Sequence, residues 1–293
     1  MIKKNKRVIL VTGASRGVGK GIAEGMAQPE DIIICAARST VKGTTVYQFG
    51  FEIQSSLDHT VENINKKGAK GIAYSIDLSS QQEILDLSAY IKKEFGQLDI
   101  LIHSACQIHG DLVESKPYWE KSLDLWSIME VGLKSNYFLS HALTPLMIDS
   151  EGKLILQISS HGAMCYMHGP IYGAQKAGTD KMAFDMAYDL KPFNICSISL
   201  WSGIVKDEKT QKISELHGEQ YAEFLKGAAS QEYAGLVINE IYKDSKLMSM
   251  SGKTLIAAEV GERYGIKDID SCTPKSDREA LGGPREFSDA VVY

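Results

Sequence analysis

Residues 7–19, RVILVTGASRGVG, join a run of apolar residues to a glycine-rich turn and decide the fold of this chain. Residues 7–12 predict a buried β-strand, and residues 17–28 predict an α-helix. The glycines between them let the backbone turn tightly. The turn therefore brings main-chain N–H groups to the positive end of a helix, where they can bind a phosphate group.

The turn also has a plainer interpretation, as a tight turn that binds nothing. Its place directly after the first strand of an alternating chain favours a dinucleotide pyrophosphate. A mononucleotide P-loop is excluded, because five residues separate Gly13 from Gly19 and because Lys20 is followed by Gly21.

Short apolar runs alternate with helical patterns along almost the whole chain. Further strands are predicted at 31–37, 69–76, 98–103, 152–159, 193–200 and 252–258. Further helices are predicted at 57–67, 80–95, 117–147, 172–190 and 231–243. Continuous β-branched runs separated by helices indicate a parallel sheet covered on both faces. The predicted fold class is α/β, a Rossmann-like doubly wound parallel sheet of about seven strands with helices on both faces.

The chain shows no internal repeat and no Pro/Ser-rich linker, so residues 1–293 are predicted to form a single domain. Three segments do not fit the alternation. Residues 39–56 form a polar and aromatic insertion, which could cover the adenosine end of a cofactor or be disordered. Residues 206–228 are polar with a helical pattern, and residues 268–293 form an irregular C-terminal arm.

Composition excludes several functional classes. The net charge is −5 and the Lys and Arg residues are dispersed, so we expect neither a nucleic-acid partner nor a membrane surface. No apolar run is long enough to span a membrane, and no signal peptide is evident. Five cysteines without a C-x-x-C pair indicate a reducing compartment, hence the cytoplasm, and no zinc-ligand spacing predicts a metal.

The end of the second strand indicates which nicotinamide cofactor is favoured. An acidic residue there would bind the ribose 2′-hydroxyl of NAD. This chain has Arg38 instead, with Arg16 in the glycine-rich turn. Two guanidinium groups suit a 2′-phosphate, because each presents a fixed fork of donors. We therefore expect NADP(H), with NAD(H) less favoured, although both could be ordinary surface arginines.

Tyr172 and Lys176 are one helical turn apart and lie on the same helix face. A nearby cation stabilises a phenolate, so this tyrosine is a candidate acid/base. Tyr242 and Lys246 have the same spacing, so the spacing alone cannot decide. Only the first pair follows a strand that ends in serines, and we expect the second pair at a solvated helix end.

These motifs resemble those of the short-chain dehydrogenase/reductase family over roughly residues 5–265. The matching motifs are Thr12-x-x-x-x-Gly17-x-Gly19, Asp77-Leu78, Ile158-Ser159-Ser160 and Tyr172-x-x-x-Lys176. Within the family, Ser199-Leu200-Trp201 and other local signatures resemble the branch that contains dehydrogenase/reductase SDR family member 1.

The resemblance implies that Tyr172 exchanges a proton with the substrate oxygen while the nicotinamide exchanges a hydride with the substrate carbon. Lys176 would support Tyr172 and bind the nicotinamide ribose. A serine would hold the carbonyl oxygen; the spacing to Tyr172 favours Ser159, and Ser160 stays open. The implied cofactor-binding residues are Gly13, Ser15, Arg16, Gly17, Val18, Gly19, Arg38, Asp77, Leu78, Ser104, Ala105, Tyr172, Lys176, Gly203 and Ile204.

The chain departs from the family pattern at four places. Residues 103–106, HSAC, replace Asn-Asn-Ala-Gly, and Gly132 aligns with an asparagine that often completes the catalytic set. Ser202 replaces the proline of a Pro-Gly motif. Asp207 stands where a threonine usually helps to hold the cofactor, and its carboxylate would repel a pyrophosphate.

We therefore expect an NADP(H)-dependent oxidoreductase that interconverts a carbonyl and an alcohol on a small, partly apolar substrate. The alternative is a non-catalytic NADP(H)-binding sensor or scaffold. The family would place residues 206–228 over the substrate as a lid, and a homodimer or homotetramer is implied. Loop residues expected beside the substrate are His161, Met164, Tyr166, Met167 and His168.

Overall fold

A computed structural model describes residues 6–41, 45–48, 51–148, 153–217, 225 and 227–292. Its strands, in chain order, are β1 (Val8–Thr12), β2 (Ile32–Ala37), β3 (Thr45–Gln48), β4 (Phe51–Gln54), β5 (Lys70–Ser75), β6 (Ile100–His103), β7 (Lys153–Ser159), β8 (Ile195–Trp201), β9 (Val205–Lys206), β10 (Ala229–Ser230) and β11 (Thr254–Ile256). Over this part of the chain, the main sheet has seven parallel strands in the order β11-β8-β7-β6-β1-β2-β5. The predicted fold class is confirmed.

The strand order reverses beside β1, which lies between β2 and β6. In the register of the sheet, Leu10 is paired with both Ile34 and Leu101. In open α/β sheets, ligands bind in the crevice at the carboxyl ends of the strands, next to such a reversal. The fold therefore points to the end of β1 as the site.

The helices are α1 (Gly17–Met26), α2 (Leu57–Lys66), α3 (Gln81–Phe95), α4 (Ser127–Met129), α5 (Ser135–Leu143), α6 (Pro170–Leu190), α7 (Glu208–His217), α8 (Tyr233–Lys243), α9 (Ala257–Tyr264) and α10 (Arg278–Leu281). Helices α1, α2 and α8 cover one face of the sheet, and α3 and α5 cover the other. Because side chains alternate along a strand, Ile9 of β1 packs on the first face and Leu10 on the second. None of the helices described here is long and apolar enough to cross a membrane.

The single long helical region predicted at 117–147 is wrong in its first half. That half consists of 3₁₀ turns at Tyr118–Glu120 and Leu123–Trp126, followed by the one-turn α4. A π-helical turn, Glu130–Lys134, then leads into α5. Gly132 lies in that π turn, where the helix widens without ending.

Two of the irregular segments approach each other above the sheet. The insertion at 39–56 contains β3 and β4, which pair antiparallel, with residues 42–44 and 49–50 outside the described residues. Helix α7 lies beside β4. Of the predicted lid at 206–228, residues 218–224 and 226 lie outside the described residues. The arm at 268–292 follows the protein surface and carries only the short α10 among its described helices.

Candidate active site

The residues predicted for catalysis and cofactor binding converge at the carboxyl edge of the sheet. Thr12, at the end of β1, accepts hydrogen bonds at Oγ1 from the main-chain N–H groups of Ser104 (3.1 Å) and Ala105 (3.2 Å). The segment after β6 is thereby tied to the glycine-rich turn. Ser104 and Ala105 therefore lie next to the end of β1.

The glycines of the turn are required by its geometry. Gly13 and Gly17 have φ values of +70° and +54°, in the left-handed region that favours glycine. A Cβ atom added to Gly19 would lie 2.4 Å from the main-chain oxygen of Gly13. The turn therefore packs directly on the start of α1. Val18 is partly buried, and its side chain packs against the core.

Two arginines approach each other at one end of this turn. Arg16 donates from Nη1 to Ser55 Oγ at 2.9 Å, and Ser55 Oγ in turn donates to Ser15 Oγ at 3.1 Å. Burial lowers the pKa of Arg16, and the nearby charge of Arg38 lowers it further. The sequence did not point to Ser55, because it lies in the insertion and belongs to no motif.

Asp77 and Leu78 follow β5 on the same side of the cleft. Hydrogen bonds from the main-chain N–H and the hydroxyl of Ser79 lower the pKa of Asp77, and Arg38 adds a smaller effect of the same sign. Leu78 is buried. A glycine cradle at a helix N-terminus fits the pyrophosphate of a nicotinamide dinucleotide.

Ser160 and Tyr172 form the centre of the candidate catalytic group. Their hydroxyl oxygens are 3.0 Å apart. Ser160 Oγ also accepts a hydrogen bond from the main-chain N–H of Gly162 at 3.2 Å, which orients it. Lys176 Nζ lies 5.5 Å from the centre of the Tyr172 ring and donates to the main-chain oxygen of Ile158 at 3.4 Å.

The preference for Ser159 over Ser160 disagrees with this geometry. Ser159 is 2% exposed and donates from Oγ to the main-chain oxygen of Lys176 at 3.2 Å. Side chains alternate along β7, so Ser159 faces helix α6 as Gln157 does, and the next residue leaves the strand at the cleft. Spacing along the chain could not reveal which serine faces which way.

Asp180 is a buried acid that sequence reasoning missed. It lies one turn beyond Lys176 on α6 and accepts hydrogen bonds from Ser199 Oγ (2.5 Å) and Trp201 Nε1 (3.1 Å). Burial raises its pKa, although hydrogen bonds from Ser199, Ser159 and Trp201 oppose the effect. The signal available in the sequence was the four-residue step from Lys176. Asp180 fastens α6 to β8 beneath the catalytic group.

At positions 103 and 132, where the chain departs from the family pattern, the residues make polar contacts inside the protein. Burial lowers the pKa of His103 to about 3, so the ring is neutral, and its Nε2 lies 2.9 Å from Ser140 Oγ. The main-chain oxygen of Gly132 accepts a hydrogen bond from Nε2 of Gln175 at 2.7 Å. No motif in the sequence singled out Gln175.

The carboxylate of Asp207 is 4% exposed and faces the glycine-rich turn. A Cβ atom added to Gly17 would lie 3.2 Å from Asp207 Oδ2. Its Oδ1 accepts hydrogen bonds from the main-chain N–H groups of Lys209 (3.0 Å) and Thr210 (2.8 Å), at the start of α7. Its Oδ2 lies 3.4 Å from Lys209 Nζ. The carboxylate expected from the sequence therefore lies next to the predicted phosphate site, and Lys209 partly offsets its charge.

Residues predicted beside the substrate divide into two groups. The ring of His168 lies 5.1 Å from the ring of Tyr172 in an edge-on arrangement. Met164 and Tyr166 are exposed on the same loop, and Met167 is partly buried. His161 is instead buried, with its ring 4.8 Å from that of Trp201, and burial lowers its pKa.

The C-terminal arm contributes to this region, which the sequence did not predict. Gly203 and Ile204 line a cavity of about 190 Å³ together with Lys275 and Asp277 of the arm. Arg278 fastens the arm by donating from Nε and Nη2 to the two carboxylate oxygens of Glu259, both at 2.7 Å. The sequence did not predict this contact, because the arm shows only weak helical or strand periodicity.

The other tyrosine and lysine at helical spacing are not part of the site. Tyr242 is buried in α8, and the guanidinium carbon of Arg7 lies 5.7 Å from its ring centre. The prediction of a solvated position is wrong for Tyr242, although Lys246 is exposed.

The fold and this site define an oxidoreductase of the nicotinamide-dinucleotide-binding type. The model of the short chain dehydrogenases matches residues 7–217, and the chain belongs to that family. It is 31% identical over 277 residues to human dehydrogenase/reductase SDR family member 1, which covers 91% of this chain and 84% of the human protein. The predicted family and branch are confirmed.

Solved structures show the same fold. A 3-oxoacyl-[acyl-carrier protein] reductase from Brucella melitensis in complex with NAD has a TM-score of 0.71 at 20% identity, covering 87% of this chain and 96% of its own. L-sorbose reductase from Gluconobacter frateurii, complexed with NADPH and L-sorbose, has a TM-score of 0.70 at 18% identity, covering 86% and 94%. Because one holds NAD and the other NADPH, the cofactor preference must be argued from the residues of this chain.

Proposed function

We propose that this protein is an NADP(H)-dependent oxidoreductase that interconverts a carbonyl and an alcohol on a small, partly apolar substrate. The observation that carries the proposal is the 3.0 Å separation of Ser160 Oγ and Tyr172 OH. Lys176 lies one turn further along α6. Two hydroxyls that converge beside a cation suit the binding and protonation of one substrate oxygen.

Each residue of this group has a distinct role. When bound, the nicotinamide supplies or accepts a hydride at the substrate carbon. The hydroxyl of Ser160 donates a hydrogen bond to the carbonyl oxygen and holds it beside Tyr172. Tyr172 gives its phenolic proton to that oxygen as the alcohol forms and takes it back in the reverse direction. The ammonium group of Lys176 stabilises the phenolate that remains.

The preference for NADP(H) rests on Arg16 and Arg38. Their charges influence each other across the end of the glycine-rich turn. A 2′-phosphate bound at the two guanidinium groups would offset their mutual repulsion, which the charges of Glu208 and Asp207 already oppose at Arg16. Ser15 and Ser55 add hydroxyl groups at the same place.

The purified protein should be titrated with NADPH and with NADH by fluorescence. NADPH oxidation should then be followed with a panel of ketones, aldehydes and quinones. The proposal expects tighter binding of NADPH and turnover of at least one carbonyl. Tight NADPH binding without any turnover would support the non-catalytic sensor or scaffold, which the acidic Asp207 beside the phosphate site favours. Tighter binding of NADH would overturn the cofactor preference.

We also propose a homodimer or homotetramer in the cytoplasm. Helices α5 and α6 carry exposed aromatic side chains, Tyr137 and Tyr188, that are 52% and 50% exposed. Aromatic residues are enriched at contact surfaces between subunits. All five cysteines are free, as a reducing compartment requires. Light scattering of the purified protein tests the assembly, and a monomer at micromolar concentration would contradict it.

A further inference from the structure

Glu208, the first residue of α7, reaches across the cleft to the N-terminus of α1. Its Oε2 accepts a hydrogen bond from the main-chain N–H of Gly17 at 3.2 Å. Its Oε1 accepts one from Lys20 Nζ at 3.1 Å. The side chains of Glu208 and Lys20 are 28% and 16% exposed, so this ion pair is largely shielded from water.

The N–H group of Gly17 is in the first turn of α1 and has no partner within that helix. Such groups, at the positive end of a helix, bind anions. In this structure the anion at the N–H group of Gly17 is the carboxylate of Glu208. Burial tends to raise the pKa of Glu208, but a main-chain hydrogen bond and the charge of Lys20 outweigh it, so the pKa is lowered and the group is ionised.

The start of α7 is held firmly in this position. Asp207 accepts hydrogen bonds from two N–H groups of the first turn, at 3.0 and 2.8 Å. Thr210 donates from Oγ1 to the main-chain oxygen of Val205 at 2.8 Å. Helix α7 also lies beside β4 of the insertion. The contact with Gly17 is thus made by an ordered helix end rather than by a free side chain.

We propose that Glu208 determines the affinity for the cofactor, because its carboxylate takes the phosphate position in the cofactor-free protein and must leave when the dinucleotide binds. The proposal rests on the proposed function. The single N–H group of Gly17 cannot donate fully to a carboxylate and to a phosphate at once, and the two anions would repel each other. Cofactor binding is therefore coupled to displacement of the first turn of α7, and the lost contacts lower the observed affinity.

The test compares Glu208→Gln with Glu215→Gln in otherwise unchanged protein. Glu215 is on the same helix, is exposed and pairs with Lys212 at 3.0 Å, so it matches the change in charge without touching the turn. NADPH is titrated by fluorescence into each protein. A hydrogen bond to a charged group contributes about 1.5–3 kcal/mol, so the Kd of Glu208→Gln should fall about tenfold or more. The Kd of Glu215→Gln should stay within about twofold of the wild type.

A second measurement needs no cofactor. Hydrogen exchange of the amides in residues 208–217 should be faster in cofactor-free Glu208→Gln than in the cofactor-free wild type. In Glu215→Gln, the amides of the first turn of α7 should exchange as fast as they do in the wild type. Equal Kd values for the wild type and Glu208→Gln, with equal exchange, would overturn the inference and leave the proposed function intact. Failure of all three proteins to bind NADPH would instead overturn the proposed function, and with it the competition.

Discussion

Gln175 donates a hydrogen bond from Nε2 to the main-chain oxygen of Gly132, with an N···O distance of 2.7 Å. Gly132 lies in the π turn before α5, and Gln175 immediately precedes Lys176 on α6. The same Nε2 donates to Thr179 Oγ1 at 2.9 Å. A buried amide therefore fills the space beside the position at which the family often has an asparagine.

Replacing Gly132 with the asparagine of the family should destabilise the protein. A Cβ atom at Gly132 would lie 3.0 Å from Nε2 of Gln175, which is buried and bonded on both sides. We expect Gly132→Asn to lower the free energy of unfolding by about 1–3 kcal/mol, as overpacking usually does. Urea denaturation measures this change in the free energy of unfolding. Gly110→Asn is the control, because a Cβ atom there has no neighbour within 4 Å.

The double variant Gly132→Asn with Gln175→Gly separates this clash from other effects. Removing the glutamine side chain makes room for the asparagine, so part of the lost stability should return. If Gly132→Asn is as stable as the wild type, or if the double variant is no more stable than the single one, the clash is not the cause.

Alanine at the two neighbouring serines should have different effects. Ser160→Ala removes a hydroxyl 3.0 Å from Tyr172 OH, and we expect kcat to fall about 10²–10³-fold with little change in stability. Ser159→Ala removes the hydrogen bond to the main-chain oxygen of Lys176 and should lower the free energy of unfolding by about 1 kcal/mol. Steady-state kinetics and thermal unfolding of both variants test the assignment. A larger loss of kcat in Ser159→Ala would reverse it.

Arg38→Ala should weaken NADPH binding and leave NADH binding almost unchanged. A charge-assisted contact with the 2′-phosphate contributes about 1.5–3 kcal/mol, which corresponds to a rise in Kd of about tenfold or more for NADPH alone. Fluorescence titration measures both constants. Arg263→Ala is the matched control, since Arg263 is exposed at the end of α9. An unchanged ratio of the two Kd values in Arg38→Ala would refute the cofactor preference.

His103 should make the protein less stable in mild acid. Burial lowers its pKa from about 6.5 to about 3 in the folded state. The unfolded chain therefore binds a proton that the folded protein does not, and stability falls as the pH decreases below 6.5. From about pH 7.5 to about pH 5, we expect the wild type to lose about 2 kcal/mol more than His103→Asn.

The measurement is urea denaturation of both proteins at the two pH values. His103→Asn places the residue of the family at this position, and any constant cost of the substitution cancels when the two pH values are compared. If both proteins lose the same free energy of unfolding between the two pH values, His103 is not held neutral in the folded state.

Much of the architecture was predictable from local patterns. All seven strands of the main sheet were predicted, because each is a short apolar run bounded by turn residues. The region at 117–147 was harder to predict. Helical periodicity is present there, but the π turn at Gly132 depends on packing against Gln175 of another helix.

The site shows the same division. Tyr172 and Lys176 were identified by a spacing of one helical turn and by the serines that precede them. Ser55 reaches the site from a segment that carries no motif, as do Lys275 and Asp277 of the C-terminal arm. Gln175 occupies an unspecified position of the Tyr172-x-x-x-Lys176 motif. Nothing in their local sequence distinguishes them from ordinary polar residues.

By itself the sequence determined the alternating α/β fold, the glycine-rich turn and the tyrosine–lysine pair. These features are local, since strand and helix periodicity and glycine turns depend on residues within a few positions of one another. Only the tertiary structure decided that Ser160 meets Tyr172 and that Glu208 meets Gly17, 191 positions away. Those contacts depend on which face of β7 is packed under α6 and on where α7 begins above the sheet, which are properties of the packed chain.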